Sequence, residues 1–242
     1  MITYFLLDTS IIIDLFEYFE KPRSIQSILS MARNLKRSMN KKGAKGKEYL
    51  RWINDEYRPT LVYDFLRNNC RANNCVITDI TSRLELPVIA IRWVLHGATV
   101  FPMPLFLDII HNFVDFEVIG KLRSNGFNLI EYSAGKDDYE IAREITKILE
   151  ECFKQPIRRF AIDVAILAVA LNKNYHFITT DVDFVNMLER CRFADRIVCP
   201  RFDTDKASFG VCDIELKLAN KTGIIHVIDI KYYLSKLRNN SV

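Results

Sequence analysis

Five acidic residues, Asp8, Glu85, Asp163, Asp181 and Asp183, stand at places where a chain can do chemistry. Asp8 ends the apolar run Ile2 to Leu7, and Asp181 and Asp183 follow a second run, His176 to Thr179. Asp163 stands alone at the head of the apolar stretch Val164 to Leu171, and Glu85 begins a helical pattern after the run Cys75 to Ile80. Carboxylates brought to one concave edge repel one another and hold their protons more tightly unless cations neutralise them. Hard oxygen donors of this kind suit Mg²⁺ or Mn²⁺. Such ions keep several waters and bind phosphate oxygens, the basis of phosphodiester hydrolysis by two ions roughly 4 Å apart. Each acid also has a purely structural use. Asp8 and Asp163 suit helix starts, Asp181 and Asp183 an Asx-turn, and Glu85 the first turn of a helix, where the dipole favours it.

Other chemistries find less material. The four histidines show no arrangement with Ser or Cys that suggests a triad. The six cysteines (Cys70, Cys75, Cys152, Cys191, Cys199, Cys212) contain no Cys-x-x-Cys pair, which argues against a structural zinc. Cys70 and Cys75 are spaced for a small disulfide loop, but a cytoplasmic setting favours free thiols.

The elements that must carry these residues alternate between strand and helix. Apolar or β-branched runs at Ile2–Leu7, Cys75–Ile80, Phe127–Tyr132, His176–Thr179 and Arg196–Cys199 read as strands. Between them, Ile11–Phe19, Thr81–His96, Leu105–Asn125, Asp138–Phe153, Ala161–Leu171 and Val182–Cys191 read as helices. Glu48–Cys70 reads as a helix broken at Pro59, with a further helix at Ser24–Arg37. The alternation predicts an α/β domain over residues 1–200, with a mainly parallel sheet between helices. In such sheets ligands bind beyond the carboxyl ends of the strands, where Asp8, Asp181 and Asp183 fall. Beyond Pro200 the pattern changes to two strands around Asn220–Gly223 and a short helix, Lys231–Arg238, read as a C-terminal β-rich extension over 201–242.

Charge is unevenly placed. The formal net charge is +4, yet residues 31–51 hold Arg33, Lys36, Arg37, Lys41, Lys42, Lys45, Lys47 and Arg51 against Glu48 alone. This local basic segment, within an insertion at about 21–75, suits a polyanion such as an RNA backbone, or simply a solvated loop. Tyr49 and Trp52 lie beside it and offer rings for stacking on bases, with core packing the favoured role for Trp52. The longest apolar run, Val164–Leu171, is too short to span a bilayer, and Asp8 interrupts the apolar N-terminus, so neither a membrane span nor a signal peptide is expected. The expected location is cytoplasmic.

Three of these segments together resemble the PIN-domain nucleases. Leu6-Leu7-Asp8-Thr9-Ser10-Ile11-Ile12-Ile13-Asp14 resembles their opening motif, Ile162-Asp163-Val164-Ala165-Ile166-Leu167-Ala168 their third acidic motif, and Phe177-Ile178-Thr179-Thr180-Asp181-Val182-Asp183-Phe184 their fourth. The resemblance implies a three-layer α/β/α PIN-like domain and a Mg²⁺- or Mn²⁺-dependent endoribonuclease. It implies Asp8, Asp163 and Asp181 as metal ligands, Asp183 in support, and Ser10 and Thr179 orienting carboxylates. The second acid of the family falls on Glu85 if the preceding turn is about one residue longer than usual, with Asp79 as its rival. A toxin held by an antitoxin-like protein and an RNA-processing enzyme are both implied settings, and homodimers are frequent in the family. A catalytically inactive PIN-like module that binds RNA or protein, and a DNA-directed nuclease, are the alternative functions.

Overall fold

The computed structural model describes residues 2–22, 44–70, 74–89, 110, 112–200, 209–218 and 221–239. Among the described residues seven strands form one mixed sheet: β1 (Phe5–Leu7), β2 (Cys75–Thr78), β3 (Leu129–Tyr132), β4 (His176–Thr179), β5 (Ala194–Val198), β6 (Val211–Leu218) and β7 (Lys221–Ile228). Their order is β3-β2-β1-β4-β7-β6-β5. The first five in that order run parallel, while β6 pairs antiparallel with both β7 and β5. The expected α/β class with a mainly parallel core is what the chain adopts.

The central strands explain the parallel arrangement. Every side chain of β1 and β2 is buried, which requires cover on both faces of the sheet. Helix α2 (Ala44–Asn69) packs against both α1 (Thr9–Glu20) and α7 (Ile230–Asn239), and α4 (Lys136–Phe153) packs against α5 (Ala161–Lys173). Burial of α5 is nearly complete from Val164 to Leu171. At about 1.5–3 kcal/mol for each fully buried aliphatic side chain, this helix is one of the main stabilising elements. The helices α3 (Gly120–Ser124) and α6 (Val182–Arg190) complete the described set, with a 3₁₀ turn at Arg158–Phe160 and π-helical segments at Ile80–Glu85 and Phe113–Ile119.

Several expectations need correction. Helix α2 runs through Pro59 without a break. Trp52 is not packed in the core: it is 47% exposed, edge-on to Tyr57. Lys221, Thr222 and Gly223 belong to β7 and not to the turn before it. The C-terminal hairpin and helix form as expected, but they are no outlying extension, because β7 inserts into the sheet beside β4. Register along β4 and β7 pairs Phe177 with Ile225 and Thr179 with Val227, so the hairpin shares the core of the domain.

The cysteines are also paired and not free. Cys70 joins Cys75, Cys152 joins Cys191, and Cys199 joins Cys212. These bonds staple α2 to β2, the C-terminal end of α4 to that of α6, and the segment after β5 to β6. The expected cytoplasmic setting favoured free thiols, and pairing depends on three-dimensional proximity that the sequence does not display. The helix expected at Ser24–Arg37, and the part of that at Thr81–His96 beyond residue 89, lie outside the described residues. No helix among the described residues is long and apolar enough to cross a membrane.

Candidate active site

Asp8 follows the last residue of β1 and caps α1, its Oδ1 accepting from the Thr9 amide at 2.8 Å. Its other oxygen, Oδ2, accepts from Ser10 Oγ at 2.7 Å and from Thr179 Oγ1 at 2.6 Å. Only 3% of the residue is exposed. Burial pushes its carboxyl above the usual range, the Thr179 and Ser10 hydrogen bonds oppose that, and the nearby Asp181 charge adds to it. Capping and site placement are therefore not alternatives here, since one carboxylate does both.

Parallel pairing of β1 with β4 brings the second acidic segment to the same edge. Asp181 caps α6, with Oδ1 accepting from the Phe184 amide at 2.9 Å, while its own amide donates to Thr179 Oγ1 at 2.9 Å. Ser10 Oγ accepts from the Thr180 amide at 3.1 Å. Ser10 and Thr179 thus tie the end of β1 to the end of β4 and fix the Asp8 carboxylate between them.

Glu85 enters from the next strand over. Glu85 ends the π-helical segment Ile80–Glu85, which follows β2 and holds more residues per turn than an α-helix. Glu85 accepts a hydrogen bond from Thr9 Oγ1. Burial raises its carboxyl, the Thr9 bond lowers it, and the charges of Asp8 and Asp181 raise it. The rival, Asp79, is engaged elsewhere: its Oδ1 accepts from the Ala134 amide at 3.0 Å and steadies the loop after β3.

Asp163 lies in the first turn of α5. Burial, then the charges of Asp8, Asp181 and Glu85, push its carboxyl up to about 8. Asp8, Glu85, Asp163 and Asp181 are therefore close enough for their charges to act on one another, although they come from four separate segments. Asp183 is set apart from them. It is exposed and pairs with Arg159 at 2.8 Å.

The donor set is all carboxylate oxygen, the chemistry that a hard divalent cation satisfies by holding the acids in their charged form. As placed, it is incomplete. Among the described residues no group of three or more His, Cys, Asp or Glu side chains could hold a metal ion. Binding one requires the carboxylates to converge further, which their mutual repulsion opposes and a cation would favour.

Of the basic residues expected to contact nucleic acid, Arg33, Lys36, Arg37, Lys41 and Lys42 lie outside the described residues. Lys45 and Lys47 fall in the first turns of α2, but their side chains also lie outside them.

Two features escaped the sequence reading. Asp14, in α1, is fully buried and receives Arg58 of α2 through both carboxylate oxygens, with nitrogen–oxygen distances of 2.8–3.1 Å. Behind this pair, Asp229 accepts from Asn54 at 2.8 Å and caps α7 through the Tyr232 amide. Gly210, at φ +81°, accepts from the Asp229 amide at 2.9 Å, and a Cβ there would meet Leu61 Cδ1 at 2.8 Å. The signal in the sequence was weak: Asp14 is an acid set directly after the apolar run Ile11–Ile13 in α1. The second feature is Arg159, whose position in the pair Arg158-Arg159 shortly before Asp163 was the available clue. A scan against family models matches none to this chain, and a search of curated proteins returns no match.

Proposed function

We propose that the chain is a PIN-like endoribonuclease that hydrolyses RNA phosphodiester bonds with Mg²⁺ or Mn²⁺. The observation that carries this reading is the gathering of Asp8, Glu85, Asp163 and Asp181 from four segments at the carboxyl edge of the parallel strands, where their charges act on one another. Asp8, Asp163 and Asp181 would hold the metal, with Glu85 completing the anionic set and Asp183 at its margin. When bound, the divalent ion supplies phosphate polarisation and a water of lowered pKa. The chain's own residues do the positioning. Ser10 and Thr179 fix the Asp8 carboxylate, Thr9 directs Glu85, and the buried Asp8 limits water at the floor of the site.

A second reading, a non-catalytic PIN-like module that binds RNA or protein, draws on one observation: the acids do not close into a metal-ready group. The metal set does not read the sugar, so DNA belongs in the same assay. For the toxin setting the partner would be an antitoxin-like protein covering the acidic edge.

The deciding experiment is cleavage of a labelled structured RNA, and a matching DNA, with Mn²⁺, Mg²⁺ or EDTA. Wild type would cleave RNA only with metal, and Asp8→Asn and Asp163→Asn would each lose cleavage while keeping the circular dichroism spectrum. Cleavage retained in both variants removes the assignment. A folded wild type inert toward both nucleic acids supports the binding module.

A further inference from the structure

A cleft of about 380 Å³ lies between the segment after α4 and α6. Its volume lies in the range of small-molecule sites, about 300–1,000 Å³. Phe153, Phe160, Arg159, Arg190, Gln155 and Asn186 are among its lining residues, and Asp183 is the acid on its wall. We propose that this cleft seats a nucleotide of the RNA strand next to the scissile phosphate, an inference that rests on the nuclease reading above.

Three observations converge on that occupant. The cleft shares its chain segments with the acidic edge: Arg159 and Phe160 lead directly into α5 and Asp163, while Asp183, on the cleft wall, is two residues from Asp181. Its chemistry is that of a nucleotide site. Two aromatic rings offer stacking faces, the Gln155 and Asn186 amides can pair with base edges, and two guanidinium groups suit phosphate. The Arg159 guanidinium already lies 5.2 Å from the centre of the Phe160 ring, with its free charge directed to Asp183 at 2.8 Å. That pair is exposed on both sides and so holds weakly, which leaves Arg159 able to exchange a carboxylate for a phosphate. Finally, the walls are braced. The Cys152–Cys191 disulfide joins the residue before Phe153 to the residue after Arg190, tying the two sides of the cleft covalently. A fixed cleft of this kind loses less conformational entropy on binding.

The test is binding of a fluorescent single-stranded RNA oligonucleotide in EDTA, which reads the cleft without metal or cleavage, followed by steady-state cleavage in Mn²⁺. Arg159→Met and Arg190→Met are compared with Arg143→Met, the same charge change on the exposed face of α4. In the first two, binding should weaken about 3- to 10-fold and the slope of log affinity against log salt should fall by about 0.7, the effect of one lost single-strand phosphate contact. KM should rise while kcat changes little, whereas Arg143→Met should match wild type. Asn186→Leu should shift the preference among oligonucleotides that differ in one base.

Binding and salt slope unchanged in both cleft variants would overturn the proposal even if the enzyme cleaves RNA. A fall in kcat at constant KM would also overturn it, making Arg159 a holder of Asp183 and not a substrate contact. Conversely, a wild type that binds through the cleft but never cleaves would leave the subsite standing and remove the nuclease reading.

Discussion

Thr179, the last residue of β4, donates its hydroxyl at 2.6 Å to the buried carboxylate of Asp8, which follows β1. The two residues are far apart in sequence but end adjacent parallel strands, so the bond exists only once β1 and β4 are in register. It both steadies the sheet edge and sets the carboxylate that the proposed chemistry needs. Thr179→Val should lower stability by about 1–3 kcal/mol, because a buried acceptor loses a donor, and should suppress cleavage. Thr179→Ser, which keeps the hydroxyl, should restore much of both. Denaturant melts alongside cleavage assays would show this, and equal behaviour of the two variants would mean that the bond does not position Asp8.

The Arg58–Asp14 pair should behave as a buried ion pair. Burial raises the Asp14 carboxyl more than the Arg58 charge and hydrogen bonds lower it, so the acid depends on its partner. Arg58→Met is expected to cost about 3–5 kcal/mol, because it strands a buried carboxylate. The double variant Arg58→Met with Asp14→Leu should be more stable than Arg58→Met alone. Urea unfolding of the three proteins tests the coupling, and simple additivity would argue against it.

The opposite end of β4 carries a pH dependence. His176 Nδ1 lies 2.9 Å from His226 Nε2, and His226 Nδ1 lies 2.7 Å from Asp213 Oδ1, linking β4, β7 and β6. The Phe5 ring packs edge-on against His176 from β1, and Asp195 and Glu215 line the shallow pocket beside it. Burial, with the neighbouring His226, holds the His176 pKa below 6.5, although Asp213 opposes the shift. Below 6.5 the unfolded chain therefore binds more protons than the folded one, and stability falls as pH drops from 6.5 toward the folded value. The melting temperature should decline between about pH 7 and 5, and His176→Gln should flatten that decline. Parallel curves for wild type and variant would show that other groups control it.

The disulfides make an equally direct prediction. Non-reducing mass analysis after alkylation should find no reactive thiol, and reduction should lower the melting temperature. By loop-closure entropy, the Cys152–Cys191 bond, with a separation of 39, stabilises by about 4 kcal/mol, and Cys70–Cys75, with a separation of 5, by about 2. Cys152→Ala with Cys191→Ala should therefore cost more than the corresponding change at Cys70 and Cys75. Six alkylated cysteines in the native protein would contradict the pairing. Pairing of this kind belongs to oxidising compartments or to the interiors of hyperthermophiles, in contrast to the free thiols that an expected cytoplasmic setting implied.

Much of this architecture was readable before any coordinates. The strand and helix around Asp8, the buried α5 behind Asp163 and the turn at Asp181 follow from short-range pattern, because each is set by local burial and capping. Glu85 was readable only as a choice between two residues. It lies at the end of a π-helical segment, and hydrophobic periodicity does not encode one. The place of β7 was harder still. Its alternation marks a strand, but nothing in its residues says that its partner is β4, since neighbour choice in a sheet comes from global packing. Arg58 and Asp14 were missed for the same reason: their partnership spans α1 and α2, and charges at that separation carry no periodic signature.

The insertion of β7 beside β4 has a consequence for how the protein is made. Strand β4 is synthesised well before β7, so from the moment Thr179 emerges until Lys221 to Ile228 follow, β4 presents an open row of amides and carbonyls on one side. Such an edge recruits other strands. A nascent or prematurely terminated chain that holds all five acids but ends before β7 would therefore carry the complete acidic motif set on a sheet with an unsealed seam. It should accumulate as aggregate, and chaperones should engage it on the ribosome, until the hairpin arrives and seals it.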